Sequence, residues 1–376
     1  FLVTPGSEMV RSTIERDGQL GALEAIGANV LANACGPCIG QWKREETGET
    51  GSVSKANSII TSFNRNFPRR NDGNADTHAF ISSPEIAVAF ALSGKLTFNP
   101  LTDSIEKMDG TTLKLEPPAP AREIPADGFI GRGYGYISPP EGPADVNVSI
   151  KPDSNRLQSL GAFEARRLSD YHDVPVLLKA SGQCTTDHIS PAGPWLRFRG
   201  HLANISKNMF TGANNAFTNT TGTGVNQLSE QAEEALTDIA LQYKGAGRSW
   251  VAIGDENYGE GSSREHAAMS PRFLGAAAII AKSFARIAES NLKKQGVLAL
   301  TFVDPADYDK IRHDDRLDFT NLDDLSPGQE IAVVLRHANG SFDNILLQQT
   351  LNDDQIGWFW AGSALNVIRA GVNNAG

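Results

Sequence analysis

A proline- and glycine-rich stretch divides this sequence and most constrains how the chain can fold. From residue 116 to about 152 the runs EPPAPAREIPADGF and ISPPEGPADV occur, and no hydrophobic period of a strand or a helix survives there. Such composition is typical of an extended tether, which we predict over residues 116–173. A length of 376 residues favours two or three domains. We therefore predict one domain over residues 1–115 and a second over residues 174–376.

Both flanking regions alternate short β-rich runs with helical patterns, which predicts an α/β fold class. Before the tether, the sequence predicts helices after Ser7 and around residues 20–26 and 84–92, and a strand at residues 58–62. After the tether, strands are predicted at 174–178, 250–253, 278–281, 297–303 and 331–335, with a helix at 283–294.

Two further features of the second region carry predictions of their own. The apolar residues Ile356, Phe359, Trp360, Leu365 and Ile368 predict one amphipathic helix at the end of the chain. Residues 204–226 are rich in Asn and Thr, which predicts an extended surface loop.

Charge and composition exclude several classes of protein. The formal net charge is -10, so the chain repels phosphate backbones and nucleic-acid binding is disfavoured. The longest clean apolar run, residues 273–281, is far shorter than the ~20 residues of a membrane-spanning helix. Three cysteines are too few for a disulfide framework and fit a reducing compartment. Because the sequence begins with an apolar run and no initiator Met, we expect it to be part of a longer chain with any targeting segment upstream.

The most specific short motif is Cys35-Gly36-Pro37-Cys38. Two thiols at this spacing can exchange as a disulfide or chelate a metal. A redox pair lacks the preceding apolar strand, and a zinc site lacks further ligands nearby. An iron-sulfur cluster is favoured only if another thiolate comes from outside this chain. The bland interpretation is a pair of chemically idle cysteines.

Three arginines fall within six residues in the segment NRNFPRRND, residues 64–72. Planar guanidinium groups beside carboxamides suit carboxylates or phosphates. By itself, however, such a cluster is usually a solvated basic turn.

The segment DENYGEGSSRE, residues 255–265, follows a predicted strand and precedes a helix. A phosphate loop is excluded because Glu260 stands where the phosphate-binding Lys would be. Ser262 and Glu265 fit a capping box. The functional interpretation, which is compatible with the cap, is that Gly259 and Gly261 bring backbone N–H groups, serine hydroxyls and Arg264 together to stabilise a developing anion.

The segment CTTDHIS, residues 184–190, is followed by GPWLRFRGH and is dense in titratable groups. His188 beside Asp187 could form an acid–base pair. Neighbours in an extended segment point to opposite sides, so a structural role for His188 is favoured.

Four segments in one order resemble the carboxy-terminal half of aconitase, the 4Fe-4S citrate-isocitrate isomerase. They are ANACGPCIGQW, TSFNRNF with Arg70, CTTDHIS with GPWLRFRGH, and GDENYGEGSSREHAA. The similarity extends to SFARIAESNLKKQG, LTFVDPADYDKI and WFWAGSALN, so it covers essentially the whole chain.

The resemblance implies a three-layer α/β domain over 1–115, the linker, and a swivelling β/α domain over 174–376. It also implies a mitochondrial-type enzyme, monomeric at full length, in the mitochondrial matrix and the tricarboxylic acid cycle. By motif match, Cys35 and Cys38 would hold the 4Fe-4S cluster with a third cysteine from the absent amino-terminal half, whereas Cys184 matches no ligand. Ser262 would be the base, with Asp187 and Arg264 also catalytic. The substrate carboxylates would be held by a larger set: Asn64, Arg65, Arg70, Ser190, Arg199, Ser263 and Arg264.

The sequence departs from the family pattern at Pro68 and Arg69, where Thr-Gly is common. An extra arginine there keeps open a second activity, the dehydration of homocitrate, as in paralogues of lysine synthesis. Two hypotheses from different classes also stay open: an RNA-binding role, and an inactive carboxy-terminal piece of the enzyme.

Overall fold

The computed structural model describes two compact units, residues 1–145 and 146–376, and the boundary falls inside the predicted linker. The described residues are 1–33, 57–62, 71, 72, 74, 76–130, 137, 138, 148–229, 231 and 233–373. Five of the predicted site residues lie outside these ranges: Cys35, Cys38, Asn64, Arg65 and Arg70. Among the residues that the structure describes, no helix combines the length and apolarity needed to cross a membrane.

The first unit contains short helices and paired strands, in agreement with an α/β class. Ser7 caps the first helix by accepting a hydrogen bond from Val10 N (3.1 Å), and Gly18 ends it with a φ of 78°. The helices are α1 (Glu8–Arg16), α2 (Gln19–Ala25) and α3 (Pro84–Ser93), and the strands are β1 (Leu2–Val3), β2 (Asn29–Val30), β3 (Asn57–Thr61), β4 (Thr77–Ile81), β5 (Ser104–Glu106) and β6 (Thr112–Lys114). Parallel pairs join β1 to β2 and β3 to β4, and an antiparallel hairpin joins β5 to β6.

The second unit is built around a closed seven-stranded barrel, an arrangement that the predicted α/β class does not specify. The barrel strands are β7 (Val174–Lys179), β12 (Trp250–Gly254), β13 (Ala276–Ala281), β14 (Leu298–Phe302), β15 (Arg316–Phe319), β16 (Ile331–Arg336) and β17 (Phe342–Gln348). They pair in the order β7, β12, β13, β14, β17, β16 and β15, which closes back on β7.

Smaller elements surround this barrel. Short strands are β8 (Asn214–Asn215), β9 (Thr220–Thr221), β10 (Thr223–Gly224) and β11 (Glu234–Ala235). Helices are α4 (Thr186–Ile189), α5 (Leu202–Ile205), α6 (Leu236–Gly245), α7 (His266–Phe273), α8 (Arg286–Lys294), α9 (Asp307–Lys310), α10 (Asp353–Ala361) and α11 (Ala364–Asn373). Single 3-10 turns occur at Leu168–Tyr171, Gly193–Phe198 and Ser206–Asn208.

The four strands β7, β12, β13 and β14 are parallel neighbours, and the other contacts of the barrel are antiparallel. Every residue of β7, β12 and β13 is buried, as expected for parallel strands covered on both faces. One apolar cluster includes Val176, Ile253 and Leu300; a second places α6 against the barrel through Leu236 and Ile239. This packing fixes the ends of the parallel strands, from which the site loops start.

Two predictions for the second unit are wrong. The single terminal helix is two helices, α10 and α11, because Gly362 between them has a φ of 91° and a Cβ there would lie 2.2 Å from Glu164 O. The predicted surface loop 204–226 contains short elements and buried asparagines instead. Asn208, Asn215 and Asn226 are at most 1% exposed, and their side chains hydrogen-bond inside the unit. Asparagine enrichment here reflects buried polar cross-links, since buried amide groups need partners.

Candidate functional site

The candidate site lies at the carboxyl edge of the barrel, where two of the sequence motifs meet. Segment 184–190 follows β7, and segment 255–265 follows β12. Because β7 and β12 are parallel neighbours, the loops after them start side by side. Ala180 N donates to Ile253 O over 2.7 Å where the two strands end.

Backbone hydrogen bonds hold the two loops together. Gly259 N donates to Cys184 O (2.7 Å), and Thr186 N donates to Glu260 O (2.8 Å). The glycines permit this approach: Gly259 has a φ of 78° and Gly261 a φ of 116°, a region that residues with a Cβ rarely adopt. A Cβ at residue 259 would also lie 2.3 Å from Ala288 Cβ. The glycine spacing therefore serves the contact between loops.

Arg264 links the two motifs through its side chain. Its Nη1 donates to Asp187 Oδ1 (2.6 Å) and to Ser190 O (3.0 Å). The side chain is 15% exposed, whereas that of Asp187 is 60% exposed. Nε and Nη2 of Arg264 make no hydrogen bond to any described residue. One nitrogen thus fixes the guanidinium, and its other edge is available for a planar bidentate acceptor.

The predicted capping box between Ser262 and Glu265 is wrong. Helix α7 begins only at His266, with Glu265 as its N-cap residue and without a side-chain cap. The backbone turn at Gly261 delays the helix, so Ser262 and Ser263 lie in the preceding loop. The amide N–H groups of residues 261–265 donate no hydrogen bond to a described residue. These are the backbone donors that the functional interpretation invokes for an anion, and that interpretation stays a prediction.

The two serines differ in their surroundings. Ser262 is partly exposed and lines a small cavity together with Thr186, Gly259 and Arg264. Ser263 is exposed. Neither hydroxyl has a hydrogen-bond partner among the described residues.

The segment with Arg199 reaches the same site by another route. His266 Nε2 lies 3.0 Å from Arg199 O, which joins the start of α7 to the 3-10 turn before Arg199. The Arg199 side chain is exposed and pairs with no carboxylate of a described residue. The Arg199 segment is therefore joined to the site loops through His266, two residues after Arg264.

Ser190 does not present its hydroxyl as the resemblance implies. It is 2% exposed, and its Oγ donates to Asn208 Oδ1 (3.2 Å). Its contact with the site runs through its carbonyl oxygen to Arg264. Its geometry fits orientation of Arg264 better than contact with a ligand.

His188 and Cys184 have structural environments. His188 Nδ1 lies 3.1 Å from Thr185 N and 2.9 Å from Gln183 O, which agrees with the favoured structural role. Burial raises the pKa of the Cys184 thiol to about 12, so a thiolate is disfavoured there. Within the described ranges, no group of three or more His, Cys, Asp or Glu side chains could hold a metal ion.

Asp255 and Thr186 are supporting residues that the sequence reasoning missed. Asp255 pairs with Lys282 Nζ (2.8 Å) and accepts from Gly182 N (3.2 Å), which ties the loop after β7 to those after β12 and β13. Burial opposes ionisation of Asp255, but the bonds from Lys282 and Gly182 lower its pKa overall. Its position directly after a strand was the available signal. Thr186 Oγ1 is buried without a described partner and lies 2.9 Å from where a Cβ on Gly261 would sit.

Comparisons with known proteins agree on one family. The family described as "Aconitase C-terminal domain" matches residues 174–305, and "Aconitase family (aconitate hydratase)" matches residues 1–94. The chain is 53% identical over 369 residues to "Aconitate hydratase, mitochondrial" of Gracilaria gracilis. It is 51% identical to the probable enzyme of that name in Dictyostelium discoideum and 51% identical to the one in Saccharomyces cerevisiae. Each match covers 98% of this chain and 47% of the relative, so the chain spans about half the length of these curated relatives.

Proposed function

The chain belongs to the aconitase family, and from this premise we propose that it takes part in the reversible isomerisation of citrate to isocitrate through cis-aconitate. The observation that carries the proposal is the contact of two motif segments through Arg264, whose guanidinium keeps one edge available. The names of the relatives support a hydro-lyase of the mitochondrion that acts in the tricarboxylic acid cycle.

We also propose the finer domain layout that the family resemblance implies. Residues 1–115 would form a three-layer α/β domain, and residues 174–376 would form a swivelling domain on the linker 116–173. The barrel and the α/β composition of both units are compatible with this layout.

Cys35 and Cys38 would hold a 4Fe-4S cluster, with a third thiolate from an upstream segment of the protein. Both cysteines lie outside the described residues, but two thiolates separated by two residues are donors that suit iron. Cys184 is a poor candidate for the missing ligand because its buried thiol has a pKa raised to about 12. When bound, the cluster would supply a Lewis-acidic iron for the hydroxyl and a carboxylate of the substrate.

Arg264 would neutralise a substrate carboxylate. Deprotonation at carbon spreads negative charge into the adjacent carboxylate, and preorganised donors stabilise that charge most effectively. The bond to Asp187 and the bond to the Ser190 carbonyl hold Nη1, so Nε and Nη2 can bind both carboxylate oxygens without reorganisation. Asp187 would act by fixing this orientation.

Ser262 would accept the proton from the substrate carbon at its Oγ. A serine alkoxide needs strong stabilisation, and both the nearby Arg264 guanidinium and the unpaired amides of residues 261–265 could supply it. The exposed side chains of Ser263 and Arg199 are available for the remaining carboxylates. Asn64, Arg65 and Arg70 would complete carboxylate binding from the first unit.

The decisive experiment replaces Arg264 with Lys in the complete polypeptide and follows cis-aconitate by its ultraviolet absorbance. Lys keeps the charge but loses the bidentate edge, so we expect kcat to fall by roughly 10²- to 10³-fold. The matched control is Arg286→Lys, on an exposed position of α8. Near-normal turnover of Arg264→Lys would contradict the proposal.

A second variant separates chemistry from binding. Ser262→Ala should lower kcat while KM stays within about twofold, because only proton transfer is removed. Measuring homocitrate beside citrate tests the second activity: a higher kcat/KM for homocitrate would replace the citrate assignment.

A further inference from the structure

A second charged cleft lies at the opposite edge of the barrel from the candidate site. It is lined by residues preceding β12 and β13, namely Arg248, Ser249 and Gly275, and by the extended segment 158–167. The loops of the candidate site follow the carboxyl ends of these same strands, so the strand lengths separate the two places. The cleft encloses about 440 Å³, a volume typical of small-molecule sites.

The charge of this cleft is opposite to that of the whole chain. Its lining contains five cationic side chains and only two carboxylates, Glu164 and Asp170, in a chain of net charge -10. The cationic side chains are Arg166, Arg167, Lys244, Arg248 and Arg272. Such local focusing of one sign attracts small ions of the other sign.

Two of these arginines are almost fully buried and only partly satisfied. Arg166 is 7% exposed and Arg272 is 9% exposed. Arg166 donates from Nε to Gly296 O (2.8 Å) and from Nη2 to Ala276 O (2.7 Å). Arg272 donates from Nε to Gln295 O (3.1 Å) and from Nη2 to Glu164 O (2.5 Å), with longer contacts to Gly362 O. No hydrogen bond joins Nη1 of either arginine to a described residue.

The other charged groups do not cancel these donors. Arg167 pairs with Asp170 (3.3 Å), and Arg248 pairs with Asp173 (2.6 Å). Each of these two arginines therefore already has a carboxylate partner of its own. Lys244 donates to Phe273 O (2.6 Å) and makes no ion pair with a described carboxylate. Burial, and then the neighbouring Arg166, lower the pKa of Arg272 to about 9, although the carboxylates of Asp170 and Glu164 oppose this shift.

We propose that this cleft binds a small, multiply charged oxyanion through phosphate or carboxylate oxygens. Nη1 of Arg166 and Nη1 of Arg272 would each donate to the anion, with Lys244 contributing charge at the rim. The fixed planar geometry of guanidinium groups favours such oxygens over spherical halides. The site is independent of the isomerase proposal because it shares no residue with the candidate site.

Calorimetric titration of the whole chain at low ionic strength tests the proposal with two probes, inorganic pyrophosphate and citrate, and the citrate titrations use the Arg264→Gln background so that binding at the candidate site does not contribute. The variant Lys244→Gln changes the exposed lysine at the rim, and Lys207→Gln removes the same charge elsewhere in the unit. We expect saturable binding of at least one probe, weakened about tenfold in the first variant and less than twofold in the second. The probe that binds more tightly identifies phosphate or carboxylate as the preferred group.

Arg272→Lys supplies a second test at the buried position, with circular dichroism to verify the fold. This substitution should also weaken binding, because it removes the Nη1 donor although it keeps the positive charge. Absence of saturable binding of both probes, equal weakening by the control, or loss of pyrophosphate binding in Arg264→Gln would overturn the proposal.

Discussion

Replacing Gly259 with Ala should destabilise the second unit markedly. Two independent costs apply at this position. The φ of 78° is unfavourable for a residue with a Cβ, by about 1–2 kcal/mol. The new methyl group would meet Ala288 Cβ at 2.3 Å, and such overpacking costs about 1–3 kcal/mol. Together we expect a loss of about 2–5 kcal/mol in the free energy of unfolding.

Urea unfolding followed by tryptophan fluorescence measures this loss. Four of the five tryptophans, Trp195, Trp250, Trp358 and Trp360, lie in the second unit, so the signal reports chiefly on it. The matched control is Gly357→Ala in the middle of α10, where a Cβ meets nothing within 4 Å. Alanine there should stabilise by about 0.5–1 kcal/mol, because glycine is unfavourable inside a helix. Equal stability of Gly259→Ala and the unmodified protein would refute the argument that the loop contact requires glycine.

Two further outcomes follow from buried titratable groups. His337 is 1% exposed at its side chain and bonds to Asp315 (2.6 Å) and Asp343 (3.0 Å), which raise its pKa. Its stabilisation should be fully present below the ordinary histidine pKa of about 6.5 and be lost as the pH rises through the raised value. The free energy of unfolding should therefore fall more steeply as the pH rises above about 6.5 in the unmodified protein than in His337→Gln, and equal slopes would count against this ion-pair cluster. Cys184, whose pKa burial raises to about 12, should resist alkylation by iodoacetamide until urea unfolds the chain; mass spectrometry would reveal rapid native labelling if this were wrong.

The elements that the sequence predicted well are those whose signals are local. Buried parallel strands such as β12 and β13 are short apolar runs bounded by turns, and α1 and α3 have serine caps ahead of them. Barrel closure was not predictable in this way, because the pairing of β15 with β7 joins residues far apart in sequence. The prediction of a single terminal helix was wrong for a related reason. The backbone of Glu164 that requires glycine at residue 362 lies nearly two hundred residues earlier in the chain.

For the site, two of the predicted residues, Asp187 and Arg264, contact each other, but the sequence did not specify which of their atoms would do so. Ser190 was predicted as a substrate contact, yet its hydroxyl is buried against Asn208 and only its carbonyl faces Arg264. Ser262 was predicted to cap α7, yet the φ of Gly261 moves the helix start to His266. The wrong capping prediction concerns backbone direction, which a single left-handed residue can change and which side-chain identity does not report. The role of Ser190 toward a substrate stays a prediction.

The arrangement around Arg264 explains why these loops need so many supporting contacts. A guanidinium can discriminate between carboxylate positions only if its orientation is fixed before the substrate arrives. Asp187 and the Ser190 carbonyl supply that orientation from the loop after β7, and Asp255 joins this loop to Lys282 after β13. The same two bonds leave Nε and Nη2 as the free pair, which sets the direction from which a carboxylate can approach. Removing Asp187 alone should therefore impair recognition through Arg264 without removing the arginine, which is the behaviour of a positioning residue.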